Sequence, residues 1–394
     1  MKKLILIILF LSVNVSVGMA EWQQVYGSPY IYSICVSGTE IYTGTGYGLF
    51  KSTNNGASWQ QTSLNTNYLA LAVSPSGSNI LAGTYSGGIH VSTNGGTNWI
   101  QSSLTDKVTR SFLTSGGNTF AGTEYNGIYT STNNGMNWIQ SPFNNRSVRS
   151  FAIHNGNLFA GTDTFGVYIS TNNGTSWNQT GLNNTNIYCI AVSGSDMYAG
   201  CQNGIYKSTN GGQNWTNSIS GITVYSMTSY AGSLFAVANS NGAYVSNDNG
   251  VSWQQRNEGL DGNNYLGTLV ILDGNLFAGA TANLGIGIYK RPISELIGII
   301  NISAEVPERF SLSQNYPNPF NPVTIIEFSL PKSAFVKLVV YDISGRELET
   351  LASQNMTAGT YKADWDASRY SSGVYFYTIA SGSYHQTKKM IVIK

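Results

Sequence analysis

The chain has 394 residues, with 20 basic and 19 acidic side chains and a formal net charge of +1. Charged residues make up only 10% of it, so no strongly basic or acidic surface is available, which argues against nucleic acid as a partner. The length admits one large domain and a small one. Gly, Asn, Ser and Thr are abundant, which is typical of short strands joined by tight turns.

The first twenty residues differ from the rest of the chain. Lys2 and Lys3 precede an apolar stretch over residues 4–17, and Gly18-Met19-Ala20 then offers small residues for a cleavage site before Glu21. This pattern predicts a signal peptide over residues 1–20. A membrane anchor is the disfavoured alternative because the apolar run is short for crossing a bilayer. No membrane span is expected after cleavage.

A repeat of about 39 residues dominates residues 21–291. Its most regular part is an eight-residue box such as Ser-Thr-Asn-Asn-Gly-Ala-Ser-Trp, which recurs at residues 52–59, 92–99, 131–138, 170–177, 208–215 and 246–253. Within one repeat, an apolar strand comes first and a strand ending in Ala-Gly-Thr or a variant comes second. A Gly-aliphatic-aromatic strand follows, and the box comes after it. Period-two alternation and frequent glycines exclude helical repeats. Four short strands in about 40 residues match one blade of a β-propeller.

The two ends of this region complement each other. A seventh Gly-Ile-Tyr strand ends at Tyr289 but has no box after it, whereas the sequence around Trp22 matches the strand that follows a box. The N-terminal strand is therefore expected to complete the last blade, which closes the ring and protects its edges. Six whole repeats and two fragments predict a seven-bladed β-propeller over residues 21–291 in an all-β protein.

The box resembles the Asp-box, or BNR repeat, Ser-x-Asp-x-Gly-x-x-Trp, found in propellers of sialidases, some endoglucanases, sortilin-type receptors and the photosystem II assembly factor. The chain departs from it because only Asp248 keeps the acid, and Asn stands at positions 54, 94, 133, 172 and 210. An Asn carbonyl can still accept backbone N–H groups across the turn. Clustered carboxylates for calcium are lacking, so the boxes are expected to be structural, and neither metal nor cofactor is expected.

After residue 291 the pattern changes. Residues 292–309 are expected to form a linker, although residues 297–302 could form a strand, and residues 310–394 carry strand-like runs that suggest a small immunoglobulin-like β-sandwich. This segment resembles the type A sorting domain of the type IX secretion system. The matching motifs are Tyr316-Pro317-Asn318-Pro319-Phe320-Asn321-Pro322, Leu330-Pro331, Tyr341-Asp342-Ile343-Ser344-Gly345-Arg346, Ala358-Gly359-Thr360-Tyr361, Trp365-Asp366, Ser372-Gly373-Val374-Tyr375-Phe376-Tyr377 and Lys388-Lys389-Met390.

The resemblance implies export by that system's translocon, with residues 310–394 as the segment that engages it. The protein is then secreted, or attached to the outer-membrane surface of a Gram-negative bacterium. An ordinary immunoglobulin-like stalk is the alternative, but it explains the sheet without explaining the whole motif set.

The three cysteines do not form a disulfide framework. Cys189 and Cys201 fall on successive strands, nearly opposite each other, so a cross-strand disulfide is conceivable in an oxidising compartment. Two small buried thiols are the favoured interpretation, and the sequence leaves the choice open.

The channel mouth on the face opposite the boxes is the expected binding surface. Two sets of loop residues are predicted to surround it: Tyr32, Leu69, Arg110, Arg149, Tyr188, Tyr225 and Gly267, and Gly46, Tyr85, Glu124, Asp163, Gln202, Asn239 and Thr281. Aromatic rings beside a few charges can stack on and hydrogen-bond a glycan or a protein segment. The candidate ligand-binding residues are Tyr32, Tyr85, Arg110, Arg149, Tyr188 and Tyr225. The alternative is that Arg110–Glu124 and Arg149–Asp163 are ion pairs within blades.

Catalysis is disfavoured but left open. Glu124 and Asp163 are the weak catalytic candidates, because a glycoside hydrolase needs two facing carboxyl groups. An Arg beside each of these carboxyl groups favours its charged form, whereas a general acid must carry a proton. The arginine set of a sialidase is not apparent, and His90, His154 and His385 are scattered. We therefore expect a secreted or surface-attached binding propeller. A sialidase-like or endoglucanase-like glycoside hydrolase and a scaffold or assembly factor are the alternatives.

Overall fold

The structure is a computed structural model that describes residues 21–64, 70–230, 232–260, 262, 265–280, 286–297, 299–303, 305–367 and 370–394. The predicted signal peptide, residues 1–20, lies outside them. Over the described residues the protein is all-β apart from one four-residue helix, and its strands form nine four-stranded sheets. Seven sheets form the predicted propeller, and two form a C-terminal sandwich. Among the helices of these residues, none has the length and apolar character needed to cross a membrane.

Each of the first six blades is a simple antiparallel meander, with its first strand innermost. After the N-terminal strand β1 (Gln23–Pro29), the strands of these blades are, in chain order, β2 (Ile31–Ser37), β3 (Glu40–Thr45), β4 (Gly48–Ser52) and β5 (Gln60–Gln61) in blade 1; β6 (Ala70–Ser76), β7 (Asn79–Thr84), β8 (Ile89–Ser92) and β9 (Ile100–Gln101) in blade 2; β10 (Thr109–Ser115), β11 (Asn118–Thr123), β12 (Gly127–Ser131) and β13 (Ile139–Gln140) in blade 3; β14 (Val148–His154), β15 (Asn157–Thr162), β16 (Gly166–Ser170) and β17 (Asn178–Gln179) in blade 4; β18 (Ile187–Ser193), β19 (Asp196–Cys201), β20 (Gly204–Ser208) and β21 (Thr216–Ser220) in blade 5; and β22 (Val224–Tyr230), β23 (Ser233–Ala238), β24 (Gly242–Ser246) and β25 (Gln254–Gln255) in blade 6.

Blade 7 joins the two ends of the propeller. Its strands β26 (Leu266–Leu272), β27 (Asn275–Ala280) and β28 (Ile286–Pro292) are completed by β1, which pairs antiparallel with β28. Gln24 lies opposite Tyr289, and the indole of Trp22 donates a 2.7 Å hydrogen bond to the carbonyl of Arg256. The inner strands β26 and β2 are in contact. The predicted ring closure is therefore confirmed.

The Ala-Gly-Thr motif is explained by close packing between blades. A Cβ placed on Gly122 would lie 2.7 Å from the carbonyl oxygen of Val148, on the inner strand of the next blade, so a side chain would push the two blades apart. The neighbouring Thr123 donates a 2.8 Å hydrogen bond from Oγ1 to the carbonyl of Gly127. The motif thus sets the spacing between blades and closes the turn to the third strand.

The boxes are turn structures, as predicted. In blade 4, Asn172 Oδ1 accepts a 2.9 Å hydrogen bond from the backbone N–H of Ser176, and buried Ser170 Oγ accepts one of 2.8 Å from Gly174 N–H. Asp248 accepts from Ser252 N–H in the same way at 2.9 Å. Asn and Asp are therefore equivalent here. Each box Trp packs against a hydrophobic cluster shared by two neighbouring blades.

The C-terminal sandwich consists of two four-stranded sheets. After helix α1 (Ile293–Leu296), its strands are β29 (Ile299–Ser303), β30 (Ser311–Leu312), β31 (Val323–Leu330), β32 (Ala334–Tyr341), β33 (Glu347–Met356), β34 (Gly359–Asp366), β35 (Gly373–Ser381) and β36 (Tyr384–Val392). The sheet orders are β29-β34-β31-β30 and β33-β32-β35-β36. Trp365, fully buried, lies at the centre of an aromatic cluster with Phe320, Tyr370 and Tyr375.

The segment expected to be a linker contains two ordered elements. Helix α1 packs its Ile293 and Leu296 into a cluster of buried side chains that runs from blade 7 into the sandwich. Strand β29 pairs antiparallel with β34, with Ile299 opposite Ala363. This strand therefore forms the edge of a C-terminal sheet and extends the sandwich to residues before position 310.

The cysteines are free thiols. Cys189 packs in the cluster between blades 5 and 6, whereas Cys201 packs in the cluster between blades 4 and 5. The two side chains therefore lie on opposite faces of the blade 5 sheet and do not form a disulfide here. Burial raises the pKa of each of the two thiols, as it raises the pKa of Cys35 to about 12.

Candidate ligand-binding site

A ring of seven residues, one from each blade, lines the central channel where the inner strands begin. Each inner strand has one more residue than its partner strand at this point. Such a β-bulge re-aims the extra residue. The bulge residues, called the mouth ring below, are Tyr32, Leu71, Arg110, Arg149, Tyr188, Tyr225 and Gly267, and all seven line one cavity of about 730 Å³.

The mouth ring contains five of the six predicted ligand-binding residues. Tyr85 is not among the residues that line the cavity, and it lies half-exposed outside it. Leu69 and Thr281, also predicted for the channel mouth, lie outside the described residues, and in blade 2 the bulge position is occupied by Leu71. Asn239, from the second predicted set, does line the cavity.

The two sets of loops lie on one face, as expected. Backbone hydrogen bonds join the residue after the second strand to the residue before the inner strand: Glu124 N–H to Val108, and Asp163 N–H to Ser147. Since each third strand leads away from this end of the blade, the boxes that follow the third strands lie at the opposite end. The mouth ring and the loops between second and third strands therefore belong to the same surface.

Two ion pairs occupy the part of the mouth formed by blades 3 and 4. Arg110 Nη2 donates to Glu124 Oε2 at 2.8 Å, and Arg149 Nε donates to Asp163 Oδ1. Burial lowers the pKa of Arg149, but the bond and charge of Asp163 outweigh it and the net shift is upward. Among the residues that the structure describes, the buried Nε atom of Arg110 has no hydrogen-bond partner. Both predicted in-blade pairs therefore form.

Tyrosines flank these ion pairs on both sides. Tyr188 and Tyr225 are in ring contact with centroids 4.9 Å apart, and the guanidinium of Arg149 lies 5.6 Å from the Tyr188 ring. On the other side, Tyr32 stacks on Tyr30 at 6.4 Å. Burial raises the pKa of Tyr188 and of Tyr32, so both phenols are protonated at neutral pH. The mouth thus offers rings, hydroxyl groups and internally compensated charges.

The arrangement offers little for catalysis. Glu124 and Asp163 are each bound by an Arg of their own blade. His90 lies on β8, His154 ends β14 and His385 lies on β36, so they are not assembled at the mouth. Over the described ranges, no group of three or more His, Cys, Asp or Glu side chains is placed to hold a metal ion.

Sequence reasoning located only one residue, Tyr85, of a second feature on this face. Tyr47, Tyr125 and Phe165 are exposed in the loops between the second and third strands of blades 1, 3 and 4, and Tyr85 holds a comparable place in blade 2. We call these four residues the rim crescent. The aromatic takes a different place in each loop, from the first of residues 85–88 to the last of residues 163–165, which hides it from a fixed repeat. The signal available was one aromatic per loop in four successive repeats.

Family comparisons decide what the two domains are. Residues 314–394 match the family described as the secretion system C-terminal sorting domain. Residues 113–223 match the DUF6242 β-propeller domain. The chain is a β-propeller with a type IX sorting tail. The protein is accordingly exported, to the exterior or to the outer-membrane surface, and its sorting tail interacts with the secretion machinery.

Solved structures share the fold of this sorting-tail propeller at low sequence identity. PorZ, a surface component of the type IX secretion system of Porphyromonas gingivalis, aligns with a TM-score of 0.58 and 16% identity over 93% of this chain and 60% of PorZ. YCF48 from Cyanidioschyzon merolae aligns with a TM-score of 0.55 and 16% identity over 70% of this chain and 100% of YCF48. This chain therefore spans little more than half of PorZ. No curated protein matches it.

Proposed function

We propose that this exported propeller is a binding protein that recognises a glycan or a protein through its mouth ring. The observation that carries the proposal is the seven aligned β-bulges, which place three tyrosines and two arginines around one cavity of about 730 Å³. Ligand sites in proteins are concave and combine apolar walls with a few fixed polar groups.

The chemistry of the ring favours binding over hydrolysis. The carboxylates of Glu124 and Asp163 are each bound by an arginine of their own blade, so both groups that a glycoside hydrolase would use already have a partner. The fold neighbour YCF48 has also been solved bound to the D1 peptide. That structure gives a precedent for a peptide ligand on a propeller of this shape, so a protein ligand is kept beside a glycan.

The test uses the mature chain, residues 21–394, with a glycan array and with cross-linking to proteins of the producing cell's surface. The double variant Tyr188→Ala/Tyr225→Ala removes the paired rings and leaves both ion pairs in place. We expect it to bind the selected ligand at least about tenfold more weakly, corresponding to about 1.4 kcal/mol. Tyr230→Ala is the matched control, since this exposed tyrosine ends the inner strand of blade 6 at the other end of the blade.

Two results would overturn the proposal. Unchanged binding by the double tyrosine variant would place the site elsewhere. Release of reducing sugar by the wild type, abolished by Glu124→Gln, would make the protein a glycoside hydrolase instead.

A further inference from the structure

The rim crescent forms a second surface outside the channel. Its members are the exposed aromatics of four consecutive blades, with exposed fractions of 50% for Tyr47, 52% for Tyr85, 73% for Tyr125 and 43% for Phe165. Single exposed aromatics are ordinary in proteins, whereas one on each of four consecutive blades, all on one face, indicates an interaction site. The crescent borders the mouth ring on blades 1 to 4, because Glu124 and Asp163 precede Tyr125 and Phe165 in the same loops.

The loops of the crescent are held in place by a glutamine from the outermost strand of each blade. Gln61 donates from Nε2 to the carbonyl of Tyr47 at 2.9 Å, and Gln179 donates to the carbonyl of Phe165 at 2.6 Å. In blades 2 and 3, Gln101 and Gln140 bind the carbonyls of Gly87 and Asn126 at 2.9 and 2.8 Å. The aromatic residues are therefore presented on fixed loops, which lowers the entropy cost of binding.

The turn between the second and third strands gives one member of the crescent a strained backbone. Tyr125 has φ of 62°, a left-handed conformation that Gly or Asn adopts at lower cost. Its backbone N–H is held by Ser147 Oγ at 3.1 Å, and yet its side chain is the most exposed of the four. Thr164 and Ser240 hold the same place in the loops of blades 4 and 6 and also have positive φ, 63° and 57°, so the turn sets this conformation. Tyr125 adopts it with an exposed side chain that gains little from burial.

The chemistry of the crescent is neutral and ring-based. Within the loop residues 46–47, 85–88, 124–126 and 163–165, the only apolar side chains are the four aromatics, and the rest are Gly, Ser, Thr, Asn and the two paired acids. Phe165 is supported by the guanidinium of Arg146, 4.8 Å from its ring centroid. Met and Arg, which are enriched together with aromatic residues at protein interfaces, are lacking in these loops.

We propose that the rim crescent binds a neutral glycan chain, laid across blades 1 to 4 with sugar rings stacked on the aromatics. A sugar presents C–H groups on its faces and hydroxyl groups at its edge, which matches flat rings set among amides and hydroxyls. This inference rests on the proposed function and makes it specific: the mouth ring holds one part of the chain, and the crescent holds its continuation. Affinity therefore rises with chain length.

The experiment uses the mature chain in affinity gel electrophoresis, with gels containing β-glucan, xylan, mannan or dextran as neutral polymers and polygalacturonate as the anionic one. We expect retardation by a neutral polymer and not by polygalacturonate. For the retained polymer, a hexasaccharide binds at least about tenfold more tightly than a disaccharide in calorimetry. The variant Tyr125→Ala/Phe165→Ala removes that difference, whereas Tyr125→Phe/Phe165→Tyr keeps it. Tyr230→Ala serves as the control away from this face.

The outcomes separate this inference from the proposed function. If no neutral polymer retards the protein but the mouth-ring variant loses a protein ligand, the glycan inference fails and the binding function stands. If hexasaccharide binding is unchanged in Tyr125→Ala/Phe165→Ala, the crescent is not the site. If binding depends on the crescent but not on Tyr188 and Tyr225, the inference stands and the mouth ring is the wrong primary site.

Discussion

Gln254, on the outermost strand of blade 6, donates a 2.7 Å hydrogen bond from Nε2 to Oε1 of Glu349 in the sorting domain. The other carboxylate oxygen of Glu349 accepts the indole N–H of buried Trp365 at 3.1 Å. One side chain therefore joins the propeller surface to the core of the tail. This contact fixes how the exported body meets the segment that directs export.

We expect Glu349→Ala to destabilise the sorting domain by about 1–3 kcal/mol, because it leaves the buried indole N–H of Trp365 without its acceptor. Thermal unfolding and limited proteolysis of the mature chain measure the effect, and the tail is expected to be cleaved first. Lys337→Ala is the control, since it removes only an exposed ion pair with Glu347, a kind of contact worth at most about 1 kcal/mol. Equal effects of the two variants would contradict this role for Glu349.

The boxes predict a graded response to substitution. Ser170→Ala removes a buried acceptor from Gly174 N–H and is expected to cost about 1–3 kcal/mol. Asn172→Ala removes the acceptor of the exposed Ser176 N–H and of the Ser170 hydroxyl but keeps the Ser170–Gly174 bond, and should cost about 0.5–1.5 kcal/mol. Asn172→Asp keeps the acceptor and should be close to neutral. Urea unfolding of the three variants measures their free energies of unfolding and so tests this order. A large loss with Asn172→Asp would show that the amide nitrogen matters and that the Asn-for-Asp exchange is not equivalent.

Gly122 offers a steric test of blade spacing. Its added Cβ would lie 2.3 Å from Ser111 Oγ and 2.7 Å from the carbonyl of Val148, so we expect Gly122→Ala to cost about 1–3 kcal/mol through overpacking. The control is Gly27→Ala, where nothing lies within 4 Å of the new methyl group and the change should stay within about 0.5 kcal/mol. The denaturant midpoints of unfolding compare the stabilities of the two variants. A neutral Gly122→Ala would mean that neighbouring blades separate easily.

The blades could be predicted from the sequence because every repeat carries the same turn and packing chemistry. The residue of blade 2 that faces the channel could not be predicted in this way. Leu69-Ala70-Leu71-Ala72 alternates, so assigning either Leu to the channel satisfies the pattern. The β-bulge after Ala70 selects Leu71. The intervals from 32 to 71, 110, 149 and 188 are then each 39 residues, a regularity that the 40-residue spacing between Trp59 and Trp99 obscured.

The binding surface was less predictable than the scaffold. Arg110 and Arg149 lie at fixed repeat positions, so the sequence located them. Their ion-pair partners, Glu124 and Asp163, each follow 14 residues later in the same blade. The loops that carry Tyr125 and Phe165 are also held by contacts from the next blade, such as the bond from Tyr125 N–H to Ser147 Oγ, 22 residues away. Exposure is a property of the assembled face, and no pattern within one repeat encodes it.

His90 provides a pH test. It occupies the third-strand position where the other blades have Phe50, Tyr129, Tyr168, Tyr206, Tyr244 and Tyr289, and burial lowers its pKa below 6.5. As the pH falls through about 6.5, the unfolded chain binds a proton before the folded one does, so stability falls and levels off below the folded pKa. We expect the melting temperature to drop more for wild type than for His90→Tyr between about pH 7.5 and 5. Parallel curves would contradict this assignment.

Tyr125 connects stability with binding. Because its φ of 62° suits Asn better than Tyr, Tyr125→Asn should raise the free energy of unfolding by up to about 1 kcal/mol and weaken binding of the retained hexasaccharide. Tyr85→Asn is the matched comparison, since Tyr85 is an exposed member of the same crescent that is not among the residues with positive φ. It should weaken binding without stabilising the fold. Chemical denaturation and calorimetry measure both quantities for each variant. A Tyr125→Asn variant that gains stability at unchanged affinity would show that the strain at this position serves no ligand.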